Sequence, residues 1–113
     1  MSDFFDNWTV QVRKGLLEFC ILNALEEEER YGYDLVKTLV DIPGFGVTEG
    51  TLYPLLSRLR VQGLISARLE ESSEGPARKY YSLTRDGGRT LAVMREYWEI
   101  VNQGVLQLQK KGE

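Results

Sequence analysis

The chain has 113 residues, a hydrophobic share of 42% and a net charge of −3, which suits one small globular domain. It contains no histidine and one cysteine, so a Ser-His-Asp triad, a Cys-His pair, a histidine-ligated metal and an internal disulfide are excluded. No apolar run approaches the roughly 18–20 residues of a membrane span, and residues 1–6 lack the basic and apolar parts of a signal peptide. We therefore expect a cytoplasmic protein that is not an enzyme, needs no cofactor and does not bind membranes.

Charge is distributed unevenly along the chain. Residues 1–47 carry four basic and nine acidic groups, whereas residues 48–89 carry seven basic and five acidic groups. Phosphate binding depends on a local patch rather than on the total charge, so the second segment is compatible with a nucleic-acid partner. Its excess of positive charge is modest and does not by itself establish DNA binding.

The first part of the chain predicts two helices. Eight of the eleven residues in 15–25 are apolar, which indicates a central helix over about residues 8–25 that is contacted on several sides. Cys20 lies in this run and is interpreted as a buried structural thiol, and the acidic residues 26–29 mark a solvent-exposed helix end. Residues 31–40 predict the second helix, whose apolar positions recur on one face. These positions are Leu35, Val36, Leu39 and Val40.

A third helix follows the turn-forming residues 43–46 and ends at Gly63, which can adopt the left-handed conformation that closes a helix. Pro54 constrains its start, because proline is tolerated in the first turn but costs about 3 kcal/mol further inside. With Thr51 as the N-cap, Pro54 takes the third helical position, so we expect a regular helix from Thr51 and an irregular lead-in over residues 48–50. The apolar stripe of this helix is Leu52, Leu55, Leu56 and Leu59.

A hairpin is predicted next. Residues 64–70 and 78–83 are β-prone runs on either side of a turn-rich connection. Alternation places Tyr81 of the second strand in the core. On the first strand it groups Ile65, Ala67 and Leu69 on one face.

A long helix completes the order of elements. Thr84 is its expected N-cap, and the helix continues to about Lys110. The resulting order, α-α-α-β-β-α, predicts a mainly α fold with a small β-hairpin. We expect a winged helix-turn-helix domain over residues 1–84 and a long C-terminal dimerisation helix over residues 85–113.

Several motifs of the sequence point to one family. The chain contains Gly-Thr-Leu-Tyr-Pro-Leu-Leu-Ser-Arg-Leu at residues 50–59 and Arg-Lys-Tyr-Tyr-Ser-Leu-Thr at residues 78–84. It also contains Lys-Gly-Leu-Leu, Tyr-Gly-Tyr and Gly-Leu-Ile at residues 14–17, 31–33 and 63–65. Together these motifs closely resemble the PadR family of bacterial transcriptional regulators, in its short form with a single C-terminal helix. The resemblance implies a repressor that binds a two-fold symmetric operator as a dimer and is often released by a small molecule.

The third helix and the hairpin carry the residues expected to bind DNA. A helix in the major groove presents its N-terminal side chains to base edges and its amides to phosphate. Arg58 is expected to read a guanine bidentately or to hold a phosphate, with a solvated arginine as the alternative. Arg78 and Lys79 place cations near phosphates or a minor groove, unless the hairpin with its tip at Gly75 is only solvated. The full predicted set is Tyr33, Thr48, Glu49, Gly50, Thr51, Tyr53, Pro54, Ser57, Arg58, Gly75, Arg78 and Lys79.

The last helix carries apolar residues at alternating intervals of three and four, which is the heptad seam of a coiled coil. The seam runs from Leu91 to Leu108 and is short for a free-standing coiled coil. We therefore expect it to dock on another surface, such as the first helix of a second subunit, and packing in its own core is the alternative. The predicted dimer interface is Leu17, Ile21, Leu91, Met94, Trp98, Val101, Val105 and Leu108.

Trp98, at the middle of the seam, has two interpretations. It anchors the interface as a large side chain, or it lines a cavity for flat apolar ligands, as the effector response of the PadR family suggests. The sequence and its resemblance to the PadR family together imply a sequence-specific DNA-binding repressor, released by a small aromatic effector, that acts as a homodimer on a palindromic duplex. The alternative is a protein-interaction module on the same fold that shows no salt-sensitive DNA binding.

Overall fold

The computed structural model describes residues 2–110, and the last three residues of the predicted segment 85–113 lie outside the described part. Four helices and a small sheet confirm the predicted fold class, with one additional short strand. The elements are α1 (Asp3–Ala24), β1 (Arg30–Tyr31), α2 (Gly32–Val40), α3 (Glu49–Val61), β2 (Ile65–Ser72), β3 (Gly75–Leu83) and α4 (Arg85–Lys110). None of the described helices is long and apolar enough to cross a membrane.

Helix α1 begins earlier than its apolar pattern predicts. Ser2 is its N-cap, and the Ser2 hydroxyl accepts a hydrogen bond from the backbone N–H of Phe5 at 3.2 Å. Two aspartates in the first turn favour this start, because negative charge stabilises the N-terminal end of a helix. Cys20 is half-buried rather than fully buried, and burial raises the pKa of its thiol, which disfavours the reactive thiolate.

Helix α3 begins at Glu49 with Thr48 as its N-cap, so the predicted N-cap at Thr51 is wrong. The backbone N–H of Thr51 already donates to the Thr48 carbonyl oxygen at 3.1 Å. Pro54 consequently lies inside the helix, where it supplies no N–H to the carbonyl of Gly50. Both Pro54 and Gly50 are exposed, so water can satisfy that carbonyl and the helix continues through the proline.

The C-terminal end of α3 closes as the sequence predicts. Gly63 follows the C-cap with a φ of 79°, in the left-handed region that glycine adopts without strain. The backbone N–H of Leu64 donates to the Leu59 carbonyl at 3.1 Å, and that of Gly63 donates to the Arg60 carbonyl at 3.0 Å. These two bonds form a Schellman motif, which turns the chain directly into β2.

The sheet has three antiparallel strands in the order β1-β3-β2. Strand β1, which is absent from the sequence prediction, pairs Arg30 with Tyr81 and Tyr31 with Tyr80. A strand of two residues is too short to show alternation. Tyr81 is buried as predicted, but Leu69 is 66% exposed because it lies in the outer part of the hairpin.

The core brings together α1, α2, α3, the sheet and the start of α4. Three residues predicted for the dimer interface, Leu17, Ile21 and Leu91, belong to this core instead, with exposures of 5%, 0% and 1%. They offer almost no surface to a second copy, because α1 and α4 of the same chain pack on each other there. The other buried core residues are Leu22, Leu25, Leu35, Val36, Leu39, Val47, Leu52, Leu56, Leu59, Ile65 and Tyr81.

Two glutamates of the acidic run fasten the end of α1 to distant elements. Glu26 pairs with Arg95 of α4, whose Nη2 donates to its Oε1 at 2.7 Å. Glu29 pairs with Arg68 of β2, whose Nε donates to its Oε2 at 2.7 Å. Both hydrogen bonds hold the pKa of the carboxyl groups below the ordinary value near 4.5. The run is therefore more than a solvated helix end.

Candidate nucleic-acid interface

Helix α3 buries one face and exposes the other. Leu52, Leu56 and Leu59 lie in the core, whereas the polar side of the helix is open to solvent. This geometry follows from the helical period, which separates the leucine stripe from the residues between its members. The exposed members of the predicted DNA-binding set on α3 and at its N-cap are Thr48, Glu49, Gly50, Thr51, Tyr53, Pro54, Ser57 and Arg58.

A groove of about 350 Å³ separates α3 from the hairpin, and we call it the wing groove. It brings together four residues that the sequence places in the site, from α2, α3 and β3. Gly75 lies at the tip of the hairpin, paired with Ser72, and is not among the residues of this groove. The lining residues are Tyr31, Gly32, Tyr33, Tyr53, Ala77, Arg78, Lys79 and Tyr81.

A tyrosine of the wing groove contacts one of its two cations. The Arg78 guanidinium lies 5.0 Å from the ring centroid of Tyr31, within the range of a cation–π contact. The Tyr31 ring in turn lies 6.1 Å from that of Tyr33 and 5.6 Å from that of Tyr80. Burial, followed by the charge of Glu49, raises the pKa of the Tyr53 hydroxyl, which therefore stays protonated as a hydrogen-bond donor.

A second groove, of about 700 Å³, runs along the opposite side of α3 against α1, and we call it the α1–α3 groove. Its lining includes Arg58, whose Nη2 lies 3.3 Å from Oε2 of Glu18 on α1. Lys14, one turn before Glu18 on the same face of α1, lines the groove too and forms no ion pair among residues 2–110. The i,i+4 spacing of Lys14 and Glu18 was visible in the sequence, but nothing there indicated that this face borders α3.

Helix α4 leaves the core after its first turns. Every residue from 95 to 110 is exposed, and the molecule accordingly extends to 60 × 34 × 22 Å. Trp98 and Val101 of the predicted seam are 42% and 38% exposed, and Val105 and Leu108 are exposed as well. Of the predicted seam, Leu91 lies in the core and Met94 packs against it. The far end of the seam, Val101, Val105 and Leu108, thus presents an apolar stripe that residues 2–110 do not cover.

An apolar groove of about 240 Å³ lies between α1 and α4, and we call it the Trp98 groove. The Trp98 ring lies 6.2 Å from that of Phe19, with the two planes tilted by 50°. The sequence offered a cavity at Trp98 as one of two interpretations and did not indicate these neighbours, because their contact depends on how α1 and α4 cross. The lining residues are Gly15, Leu16, Phe19, Val93, Met94, Tyr97 and Trp98.

Three helices, a hairpin with cationic side chains and an exposed third helix beside it define a winged helix-turn-helix protein. The chain belongs to the PadR-like family of transcriptional regulators, whose model matches residues 21–93. The predicted family resemblance is thereby confirmed, and so is the broader prediction of a transcriptional regulator.

Solved structures and a curated relative agree with this assignment. A PadR-like transcription factor of Bacteroides fragilis is 41% identical, with a TM-score of 0.75 over 90% of this chain and 98% of that one. A PadR-like transcriptional regulator of Bacillus cereus is 41% identical, with a TM-score of 0.78 over 88% of this chain and 96% of that one. The transcriptional regulator YqjI of Escherichia coli is 30% identical over 80% of this chain, which spans only 43% of YqjI.

Proposed function

We propose that the chain is a homodimeric, sequence-specific DNA-binding repressor that acts in the cytoplasm. The observation that carries this proposal is the exposed polar face of α3, which lies between the cations of the wing groove and those of the α1–α3 groove. A helix in these surroundings enters the major groove, and the cations on its two sides then contact the phosphates that border the groove. The PadR-like membership supports the same function.

Contacts to bases and contacts to phosphates fall to different residues in this proposal. Ser57 and Arg58 on the open face of α3 read base edges, with Arg58 donating to the O6 and N7 atoms of a guanine. Arg78 and Lys79 bind phosphates from the wing side, and Lys14 binds a phosphate from the α1 side. Phosphate contacts fix the position of the protein on the duplex, whereas the base contacts select the sequence.

The exposed stripe of α4 is the proposed dimer interface, now reduced to Met94, Trp98, Val101, Val105 and Leu108. Burial of such a stripe between two subunits removes apolar surface from water and relates two α3 helices by a two-fold axis. The operator is then a palindrome whose half-sites lie about one helical turn apart, roughly 10 base pairs.

A small flat aromatic molecule is the proposed effector, with the Trp98 groove as its site. The groove is lined almost entirely by apolar and aromatic side chains, which favours stacking over hydrogen bonding. The groove borders the seam, so a bound molecule is placed to alter the dimer and with it the spacing of the two α3 helices. The alternative is that Trp98 serves only as an anchor of the interface.

Selection from random duplexes with the purified protein tests the DNA-binding proposal. We expect a palindromic consensus, with the logarithm of the affinity falling linearly as the logarithm of the salt concentration rises. A triple variant, R58A/R78A/K79A, should lose this binding. A protein-interaction module would select no sequence and show no salt-sensitive binding, and wild-type affinity of the triple variant for the consensus would also reject the proposed interface.

A further inference from the structure

Arg58 has a negatively charged neighbour at the edge of the proposed DNA surface. Its Nη2 atom lies 3.3 Å from Oε2 of Glu18, and the side chains are 57% and 33% exposed. Both residues line the α1–α3 groove. An ion pair this exposed contributes little to stability. Leu17 and Leu56, which lie close to the pair along α1 and α3, belong to the buried core, so packing of the two helices does not require a carboxylate at position 18.

The carboxylate changes what Arg58 can bind. Arg58 and Glu18 together carry no net charge, so a phosphate that approaches the guanidinium also meets a like charge nearby. The O6 and N7 atoms of guanine are uncharged acceptors and meet no such repulsion. The pair therefore disfavours phosphates, which every duplex offers, more than guanine, which only some sequences offer.

The ion pair also leaves N–H groups of Arg58 free to donate hydrogen bonds to DNA. A guanidinium carries five N–H donors in a fixed plane, and its closest approach to Glu18 is made by Nη2. Nη1 and Nε form no hydrogen bond among residues 2–110 and are available to a base. By contrast, Lys14 on the same face of α1 has no acidic partner in that part of the chain. The two cations of the α1–α3 groove thus differ: Glu18 neutralises the charge of Arg58, whereas no carboxylate in that part of the chain pairs with Lys14.

We propose that Glu18 is a specificity-determining residue that acts through Arg58: it suppresses the use of Arg58 as a general phosphate contact and orients the guanidinium for a base edge. This inference rests on the proposed DNA-binding function. It assigns to α1 a part in recognition, although α1 itself reads no base.

A double-mutant cycle tests the proposal. The affinities of wild type, E18Q, R58A and E18Q/R58A are measured for the selected operator and for an unrelated duplex, each over a range of salt concentrations. Glu18→Gln keeps the shape of the side chain and removes only its charge. Glu28→Gln is the matched control, because Glu28 is an exposed glutamate just beyond α1 with no ion pair among the described residues.

We expect E18Q to bind the unrelated duplex about threefold more tightly than wild type. This factor corresponds to the repulsion between the Glu18 carboxylate and a phosphate across several ångströms of water. The salt dependence on that duplex should steepen by about one phosphate contact. Operator affinity should gain less than this, so the ratio of operator to unrelated affinity falls. In the R58A background, E18Q should leave that ratio unchanged, and E28Q should resemble wild type throughout.

Two outcomes would overturn the inference while leaving the proposed function intact. One is an operator-to-unrelated ratio in E18Q equal to that of wild type. The other is the same fall of the ratio in the R58A background, which would make Glu18 a general negative charge rather than a partner of Arg58. If wild type binds no duplex, the proposed function itself fails, and the two failures are thus distinguishable.

Discussion

Gly87, in the first turn of α4, lies directly against the backbone carbonyl of Leu64, so closely that a Cβ atom at this position would overlap the carbonyl oxygen. Thr84 fixes the same junction: its backbone N–H donates to the Leu64 carbonyl at 3.1 Å, and its hydroxyl donates to the Gly63 carbonyl at 2.6 Å. The Thr84 hydroxyl also accepts from the N–H of Gly87 at 2.9 Å, as expected for the predicted N-cap. The start of α4 is therefore fastened to the end of α3.

Gly87→Ala should destabilise the protein by about 3 kcal/mol, because the obstructing atoms are backbone and cannot rotate away. Gly88→Ala is the matched control, since the nearest atom to a Cβ there is a Leu83 methyl group at 4.0 Å, an ordinary contact. The same change at Gly88 should be neutral or slightly stabilising, because alanine favours a helix over glycine. Thermal unfolding followed by circular dichroism compares the two variants. Equal melting temperatures would show that α4 shifts to relieve the contact.

The ion pair between Glu26 and Arg95 should make part of the stability dependent on pH. The hydrogen bond from Arg95 lowers the pKa of Glu26 below its ordinary value near 4.5. A carboxyl group with a lowered pKa in the folded state contributes stability above its unfolded pKa, and this contribution is lost as the pH falls through the folded value. Glu26→Gln should therefore lower the melting temperature at pH 7, and this deficit should shrink as the pH falls below 4.5 and through the lowered pKa of Glu26.

Glu27→Gln serves as the control for that measurement, because Glu27 forms no ion pair among residues 2–110. Its difference from wild type should be small and nearly independent of pH. A deficit of E26Q that stayed unchanged down to the lowest pH at which the protein remains folded would mean that the Glu26 side chain acts by packing rather than by charge.

Single alanine variants should separate base readers from phosphate binders. Arg58→Ala should weaken operator binding by about 1–3 kcal/mol and affect unrelated sequences less. Arg78→Ala, Lys79→Ala and Lys14→Ala should weaken binding to all sequences alike and reduce the salt dependence by about one contact each. Arg89→Ala, on α4, should change neither. An equal loss for operator and unrelated duplex in R58A would assign Arg58 to a phosphate.

Binding of a flat aromatic compound in the Trp98 groove should quench the Trp98 fluorescence and lower operator affinity together. Trp8→Phe provides the background, because Trp8 is half exposed and would add a second signal. Since binding couplings are reciprocal, operator DNA should weaken compound binding by the same factor. A broad aromatic panel that neither quenches Trp98 nor changes DNA affinity would leave Trp98 as an interface anchor alone.

The spacing of apolar residues predicted most of the helices and strands, because each element must bury one face and this requirement sets that spacing. The leucines of α3 alternate with exposed polar residues at helical spacing, and both faces appear where the pattern puts them. The start of α3 was placed wrongly because the cost of an internal proline depends on whether water reaches the Gly50 carbonyl, which only the tertiary structure shows. Strand β1 exists through its pairing with Tyr80 and Tyr81 rather than through a pattern of its own.

The site was less predictable from sequence than the fold. Motifs placed Arg58 and Arg78 on the right elements, but not beside Glu18 and Tyr31, which lie 40 and 47 positions earlier in the chain. Such neighbours follow from the crossing of helices and from strand register. The predicted dimer seam was wrong at Leu91 for a similar reason, since Leu91 is buried in its own chain. An apolar stripe does not indicate which of its residues pack in their own subunit and which contact a partner.

The exposed half of the seam gives the sharpest test of the proposed assembly. Val101→Asp places a charge at the centre of the stripe, where burial between two subunits would leave it unpaired at a large cost in free energy. The stripe is exposed in the single chain, so the fold itself should be unaffected. We expect the variant to sediment as a folded monomer and to lose operator binding although every proposed DNA-contacting residue remains, because one half-site binds weakly alone.

Asn102→Asp adds the same charge one position along the helix, off the seam, and should stay dimeric and bind DNA. A stable V101D dimer that still holds the operator would place the interface elsewhere, and the exposed aromatic residues of α1, Phe4 and Trp8, would be the next surface to test.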